Sequence, residues 1–313
     1  MGNIYENKSE VSIKMEIYTP LRYPGGKSKL FDFFKLILLN NCTQRTHYAE
    51  PYAGGAGLAL SLLLSGNVAS IYINDINKSI YAFWYSVIEE TDSIIKLIKD
   101  TPVSIDEWYK QKETQAHKDD VELLDLGFST FFLNRTNRSG ILKGGIIGGK
   151  KQDGVWKLDD RFNKDNLIRR IKTIAEKKDH IHLSNKDACD FLDDMDSKKI
   201  RNLFYYLDPP YIKKGSGLYE NFYIEEDHRA VAKRVSKLKS KWIVSYDEHD
   251  LATELYDKYN RMTYDLNYSA QEIKKGREFM AFSPRIQIPA EVAESKLENK
   301  IFNISNIVFT NVN

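Results

Sequence analysis

Cysteine is nearly absent from this chain: Cys42 and Cys189 are its only two. A pair so far apart builds neither a disulfide framework nor a structural zinc site, so both read as buried spectators. Long hydrophobic runs are missing as well. Apolar stretches such as Leu58 to Leu64 fall far short of the roughly 18 residues a bilayer span needs. The segment from Met1 to Ile17 is too polar and acidic for a secretory signal, so the expectation is a cytoplasmic protein with no membrane contact. Nor does one sign of charge dominate, since 46 Lys and Arg stand against 44 Asp and Glu, and whole-molecule charge alone does not argue for nucleic acid. His180 and His182 alternate along one strand but have no carboxylate or thiol close by in sequence, and no metal is expected.

What is present is ordinary globular composition with an uneven layout. At 313 residues, with 42% hydrophobic and 29% charged residues, the chain has the length for one large α/β core plus an insertion, and the composition to fold. His47 to Glu50 reads as a strand, followed by a turn containing Gly54, Gly55 and Gly57 and an apolar helix through Leu64. A second strand, Ser70 to Asn74, ends at Asp75, with Asn77 as the cap of the next helix. The alternation then stops, giving way to polar-faced helical segments and a Gly-rich basic stretch from Asn134 to Lys157 that suggests a β-hairpin or a mobile loop. It resumes with strands over His180 to Ser184, Leu203 to Leu207, Lys241 to Ser245 and Arg261 to Leu266. Helices are expected over Asp187 to Asp193, Glu225 to Leu238 and Asp250 to Asp257. A Rossmann-like, doubly wound α/β sheet follows from this order. The expected layout is an arm over 1–20, a catalytic domain over 21–84 and 165–288, an inserted subdomain over 85–164, and an unassigned extension over 289–313.

The most specific chemical signal is Asp208-Pro209-Pro210-Tyr211 at the end of an apolar strand. Ligands of open α/β sheets bind at such strand ends, and two successive prolines leave an extended turn without amide donors. That arrangement presents acceptors. An amino group on an aromatic base is a poor nucleophile because its lone pair is delocalised into the ring. The Asp208 carboxylate and the Pro209 carbonyl would accept its two hydrogens and draw the nitrogen toward tetrahedral geometry, while Tyr211 offers a face for an extruded base. The plain alternative is a strand exit at which prolines stop the sheet.

Several motifs in order resemble the D12 class of N6-adenine-specific DNA methyltransferases, of the Dam type and alpha group. They are Arg22-Tyr23-Pro24-Gly25-Gly26-Lys27, Glu50 to Gly57, Asn74-Asp75, Phe132 to Gly140 and Asp208 to Tyr211. The resemblance covers about Leu21 to Ser283. It implies S-adenosylmethionine as cofactor, a Rossmann-like methyltransferase sheet with a mainly helical target-recognition insert, and double-stranded DNA as substrate. It further implies cofactor contacts from Tyr23, Lys27, Glu50, Tyr52, Gly54, Gly55, Asp75, Asp187 and Asp208. Asp75 would meet the ribose hydroxyls and Asp187 the cofactor adenine, although Asp187 equally fits an N-cap. A bacterial or phage-infected cell, a monomer or weak dimer and a cognate restriction endonuclease are compatible with it. Ala56 and Ser139 depart from the family pattern, and no GATC specificity is carried over.

Residues Arg135 to Lys178 hold 13 Lys or Arg against 5 Asp or Glu, a concentration suited to phosphates, or equally a solvated basic face. Arg135, Asn137, Arg138, Lys143, Lys150 and Lys151 are the candidate DNA contacts there. Ser269 and Arg277 join them in a late segment that resembles a loop closing over the flipped base, and that also reads as an exposed basic turn. Rival folds fit less well. A phosphate loop at Gly25-Gly26-Lys27-Ser28 lacks its first glycine because Leu21 stands there, and a dinucleotide fingerprint from Gly55 meets Leu60 at its third glycine. An RNA or protein-amide methyltransferase, or an inactive DNA-binding relative, stays open on the motifs alone.

Overall fold

A computed structural model describes residues 17–23, 27–42, 45–212, 223–270, 272–293 and 302–310, with backbone only for 266–270, 272–276, 291, 293 and 302–306. Residues 1–16 of the expected arm over 1–20, and Pro24, Gly25 and Gly26, lie outside the described residues.

The sheet is built around β4 (Leu203–Leu207), whose five residues are all buried and therefore need cover on both faces. The other strands are β1 (His47–Glu50), β2 (Ser70–Asn74), β3 (Ile181–Ser184), β5 (Lys241–Asp247), β6 (Asn260–Ala270), β7 (Glu272–Phe282) and β8 (Phe302–Val308). They lie in the order β3-β2-β1-β4-β5-β7-β6-β8. The first five are parallel, and β7, β6 and β8 add antiparallel pairings at one edge. From β1 the chain winds outward through β2 and β3, and it restarts on the other side with β4 and β5. The C-terminal ends of β1 and β4 therefore flank the switch point at which such sheets open a ligand crevice.

Period-two alternation divides the core into two layers. Tyr48, Phe204, Tyr206 and Ile243 face a layer that includes α1 (Phe31–Asn41), α2 (Gly57–Leu64) and α3 (Lys78–Ile88). Ala49, Tyr205, Leu207, Trp242 and Val244 face the other, covered by α8 (Ala188–Ser197), α9 (Glu225–Val235) and α10 (Asp250–Leu255). Asp187 is the N-cap of α8, its carboxylate accepting from the Cys189 amide at 2.8 Å. Asn77 caps α3 through the Ser79 amide, as its sequence position predicted.

The insert contains α4 (Thr91–Asp100), α5 (Ile105–Ala116) and α6 (Leu123–Thr136), and α7 (Lys164–Ala175) leads back to β3. The polar-faced description suits α4 and α5 but not α6, in which every residue from Leu126 to Asn134 is buried because neighbouring helices surround it. The Gly-rich stretch is not a β-hairpin. A single bridge, Asn137 to Ile146, is followed by turns at Gly148 and Gly149, and the Gln152 side chain donates to the Ile147 and Gly149 carbonyls instead of leaving them for a ladder. The late segment expected as a loop is a long hairpin instead. β6 and β7 pair continuously from Asn260–Phe282 to Ala270–Glu272, held by an apolar run, Phe279 to Phe282, that belongs to the core. The stretch beyond 289 carries α11 (Ala290–Ala293) and β8.

Candidate active site

At the switch point Asn74 ties the strand ends together. Fully buried, its side chain donates to the Pro51 and Lys186 carbonyls and accepts from Ser184 Oγ and the Lys186 amide. Asp75 follows and closes the glycine turn, one oxygen accepting from the Gly54 amide at 2.8 Å and the other from the Asn77 amide at 2.9 Å. Burial raises its carboxyl to about 6, against those two amide bonds. Gly54 adopts a φ of +47°, and a Cβ there would lie 2.6 Å from the Tyr23 ring; one on Gly55 would lie 2.9 Å from Tyr23 Cβ. The turn therefore tolerates no side chain beneath Tyr23.

Tyr23 is held in place by the insert. Asn134 accepts from the Arg22 amide at 2.7 Å and donates to the Arg22 carbonyl at 2.8 Å, so one side chain satisfies the residue before Tyr23 on both sides. Gly140 has a φ of +76° and approaches the Arg22 carbonyl so closely that a Cβ would lie 2.1 Å from its oxygen. Glu50, buried at the end of β1, accepts from Tyr48 Oη at 2.9 Å, and burial raises its carboxyl to about 8. Tyr52 Oη meets Tyr223 Oη at 3.1 Å on the α8 side of the crevice.

Asp208, at the tip of β4, has both oxygens engaged. Oδ2 accepts from Lys27 Nζ at 2.8 Å, and Oδ1 accepts from Ser245 Oγ at 2.8 Å, which also contacts Tyr206 Oη at 2.7 Å. Lys27 arrives on a short 3-10 turn, Lys27–Leu30, ahead of α1. Burial works to lower its ammonium, but the charges of Asp208 and Glu278 outweigh that and hold it well above the ordinary lysine range. Burial raises Asp208, Lys27 opposes the rise, and Glu278 adds to it. Tyr211 is nearly buried, its hydroxyl donating to Glu278 Oε1 at 2.8 Å, with Lys27 Nζ 5.3 Å from the ring centre. Pro209 is buried and Pro210 half-buried, and the Asp247 carboxylate accepts from the Ile212 amide at the motif's exit.

The family model for the D12 class of N6 adenine-specific DNA methyltransferases matches residues 23–270. The chain belongs to that family. Among solved structures it is similar to the rRNA methyltransferase aviRa from Streptomyces viridochromogenes, with 11% identity over 83% of this chain and 85% of that one and a TM-score of 0.35. It is also similar to protein LPL1258 from Legionella pneumophila, with 12% identity over 93% and 99% and a TM-score of 0.36. Likenesses at that level carry nothing about activity. No curated protein sequence matches the chain.

Within this D12-class chain, sequence reasoning missed four residues of the centre: Tyr206, Ser245, Glu278, and Tyr264, whose hydroxyl donates to Glu278 Oε2 at 2.9 Å. Ser245 and Glu278 each left a trace, a polar residue inside or bordering an apolar strand, but the sequence does not say which distant motif such a residue faces. The insert candidates divide. Asn137 is fully buried, accepting from Trp108 Nε1 and donating to the Ile141 and Leu142 carbonyls, so its amide is not available to a base. Arg135 is half-buried and donates to the Arg161 and Pro20 carbonyls; burial and the nearby arginines lower it to about 9. Arg138, Lys143, Lys150 and Lys151 are exposed. Beside them, Val155 is 91% and Trp156 53% exposed; Arg161 lies over the Trp156 ring, and Lys150 over that of Tyr109. Arg277 is exposed and faces Glu248 and Asp265 at 3.8 and 3.5 Å, whereas the Ser269 side chain lies outside the described residues. Among the described residues no three His, Cys, Asp or Glu are placed to hold a metal, and no helix is long and apolar enough to cross a membrane. Cys42 and Cys189 are free thiols, half-buried instead of buried as expected.

Proposed function

We propose that this chain transfers a methyl group from S-adenosylmethionine to the N6 amino group of an adenine extruded from duplex DNA. The observation that carries the reading is Asp208, fixed at the β4 tip by Lys27 and Ser245 and adjoining Tyr211, across the crevice from the glycine turn.

The residues present fit the cofactor. Gly54 and Gly55 leave bare backbone where no Cβ is tolerated, and Asp75, half-exposed beside them, keeps acceptor capacity on both oxygens for a ribose diol. Tyr23, packed against the glycine turn, with Lys27, Glu50, Tyr52, Asp187 and Asp208, completes the proposed set. When bound, S-adenosylmethionine supplies an electrophilic methyl group on a sulfonium centre.

The chain's own part is orientation and polarisation. Each carboxylate oxygen of Asp208 has a further lone pair beyond the one used by Lys27 or Ser245, so it can accept an amino hydrogen while its position stays fixed. With the Pro209 carbonyl as second acceptor, the base nitrogen is drawn out of conjugation and turned toward the methyl group. Tyr211 supplies the apolar face beside it. No covalent intermediate with the protein is required, since the amine is itself the nucleophile.

The exposed Arg138, Lys143, Lys150 and Lys151, with Val155 and Trp156 between cations, support an insert that grips the duplex. The test is incubation with methyl-labelled cofactor and unmethylated DNA, followed by digestion to nucleosides. Label on the adenine amino group is expected; label confined to RNA or protein, or none despite cofactor binding, overturns the reading.

A further inference from the structure

Glu278 is 2% exposed on β7 and precedes four apolar core residues. A carboxyl taken out of water this completely is stable only when its oxygens are engaged, and both of them are engaged inside the candidate site. Oε1 accepts from Tyr211 Oη at 2.8 Å, Oε2 accepts from Tyr264 Oη at 2.9 Å, and Oε2 stands 3.5 Å from Lys27 Nζ. Tyr211 closes the Asp-Pro-Pro-Tyr motif, and Lys27 bonds the Asp208 carboxylate that opens it. One side chain from the antiparallel edge thus reaches both ends of a motif on the central strand.

We propose that Glu278 is a positioning residue for methyl transfer: it holds the Tyr211 ring in place through its hydroxyl and holds Lys27 against Asp208. The inference rests on the adenine-methylation reading. A phenol tethered at its far end loses the freedom to swing, so the ring is in position before the base arrives. An ammonium held between two carboxyls has its donors divided between them, which fixes the Asp208 oxygen it bonds. Tyr264, on β6, braces the same carboxyl from the opposite side.

Glu278→Gln keeps the size of the side chain but replaces one acceptor with an amide donor, which at the Oε1 position cannot take the Tyr211 hydrogen and at the Oε2 position cannot take the Tyr264 hydrogen and faces Lys27 donor to donor. With full-length protein, saturating S-adenosylmethionine and saturating duplex DNA, the single-turnover rate should fall on the order of 10²-fold, the scale of a misplaced reacting group. Cofactor Kd should change less than about threefold, because the proposed effect falls on orientation and not on ground-state binding. The acid limb of the rate profile should also move to lower pH, since Glu278 helps to raise the Asp208 carboxyl. A merely structural role would lower the folded fraction and leave that limb in place. Tyr264→Phe should slow the reaction in the same direction by a smaller factor, and it carries the test if Glu278→Gln does not fold. A wild-type rate in either variant, or an unshifted acid limb in Glu278→Gln, overturns the inference. A wild-type enzyme that places no methyl on adenine overturns the reading beneath it instead.

Discussion

Lys27 and Lys150 carry the same ammonium group in opposite surroundings. Lys27 is buried among Asp208, Glu278 and Tyr211, and its charge is fixed by their geometry. Lys150 stands exposed on the insert, its ammonium 5.6 Å from the Tyr109 ring centre. In the first environment charge is expensive to create and cannot be moved without breaking a network. In the second it is cheap, screened by salt and free to meet a polyanion. The contrast teaches that the reaction centre should respond to single substitutions steeply, and the insert gradually and additively.

Asp208→Ala is the sharpest way to break that contrast. Turnover should fall on the order of 10³-fold, within the range for loss of a positioned polar catalyst. Cofactor Kd, measured by calorimetry, should change only a few-fold. Equal loss of both would remove Asp208 from the role assigned to it.

The buried side also predicts a pH dependence. Glu50 titrates near its ordinary value of 4.5 when unfolded and at about 8 when folded, so the folded state holds the extra proton between those values. Stability of the cofactor-free protein should therefore decline as pH rises from about 4.5 to about 8, by an order of a few kcal/mol in total. Thermal melts of Glu50→Gln should show a shallower decline across that window. A variant that parallels the wild type would show that Glu50 is ionised in the folded state.

Within the insert, neighbouring residues separate the two behaviours. Asn137→Ala should destabilise the fold by about 2 kcal/mol, because it leaves the Trp108 indole donor and two carbonyls unpaired in a buried site. Arg138→Ala should leave the melting temperature unchanged and weaken DNA binding. If instead Asn137→Ala weakened DNA binding with stability intact, the insert would have to rearrange on the duplex.

The smallest effect belongs to the exposed lysines. Replacing Lys150 and Lys151 by Ala should reduce the slope of log affinity against log salt by about 1 for each phosphate that the insert no longer neutralises. The single-turnover rate at saturating DNA should stay within about twofold, since binding and not chemistry is altered. An unchanged slope would place both lysines away from the backbone.

Much of the parallel core was legible because strand periodicity and glycine turns are local. The β1–turn–α2 unit, β2 running up to Asp75, and β4 running up to Asp208 follow directly from their residues, the strands stopping at Asn74 and Leu207. The β6–β7 hairpin was not, because the basic and glycine residues near its tip read as a surface loop, while the pairing that makes it a hairpin joins residues on two separate strands. Asn137 shows the same limit in a side chain. An amide in a basic stretch looks like a base reader until Trp108, 29 positions earlier, is found against it.

By itself the sequence determined the acceptor motif, the glycine turn and the order of the parallel-core elements, since each depends on residues adjacent in the chain. The tertiary structure decided which charges are buried together. Lys27, Asp208, Ser245 and Glu278 come from four separate parts of the chain and meet only because β5 pairs with β4 and β7 with β5, while the turn before α1 brings Lys27 to Asp208. Electrostatic partnership depends on distance and desolvation in space, and sequence separation carries neither.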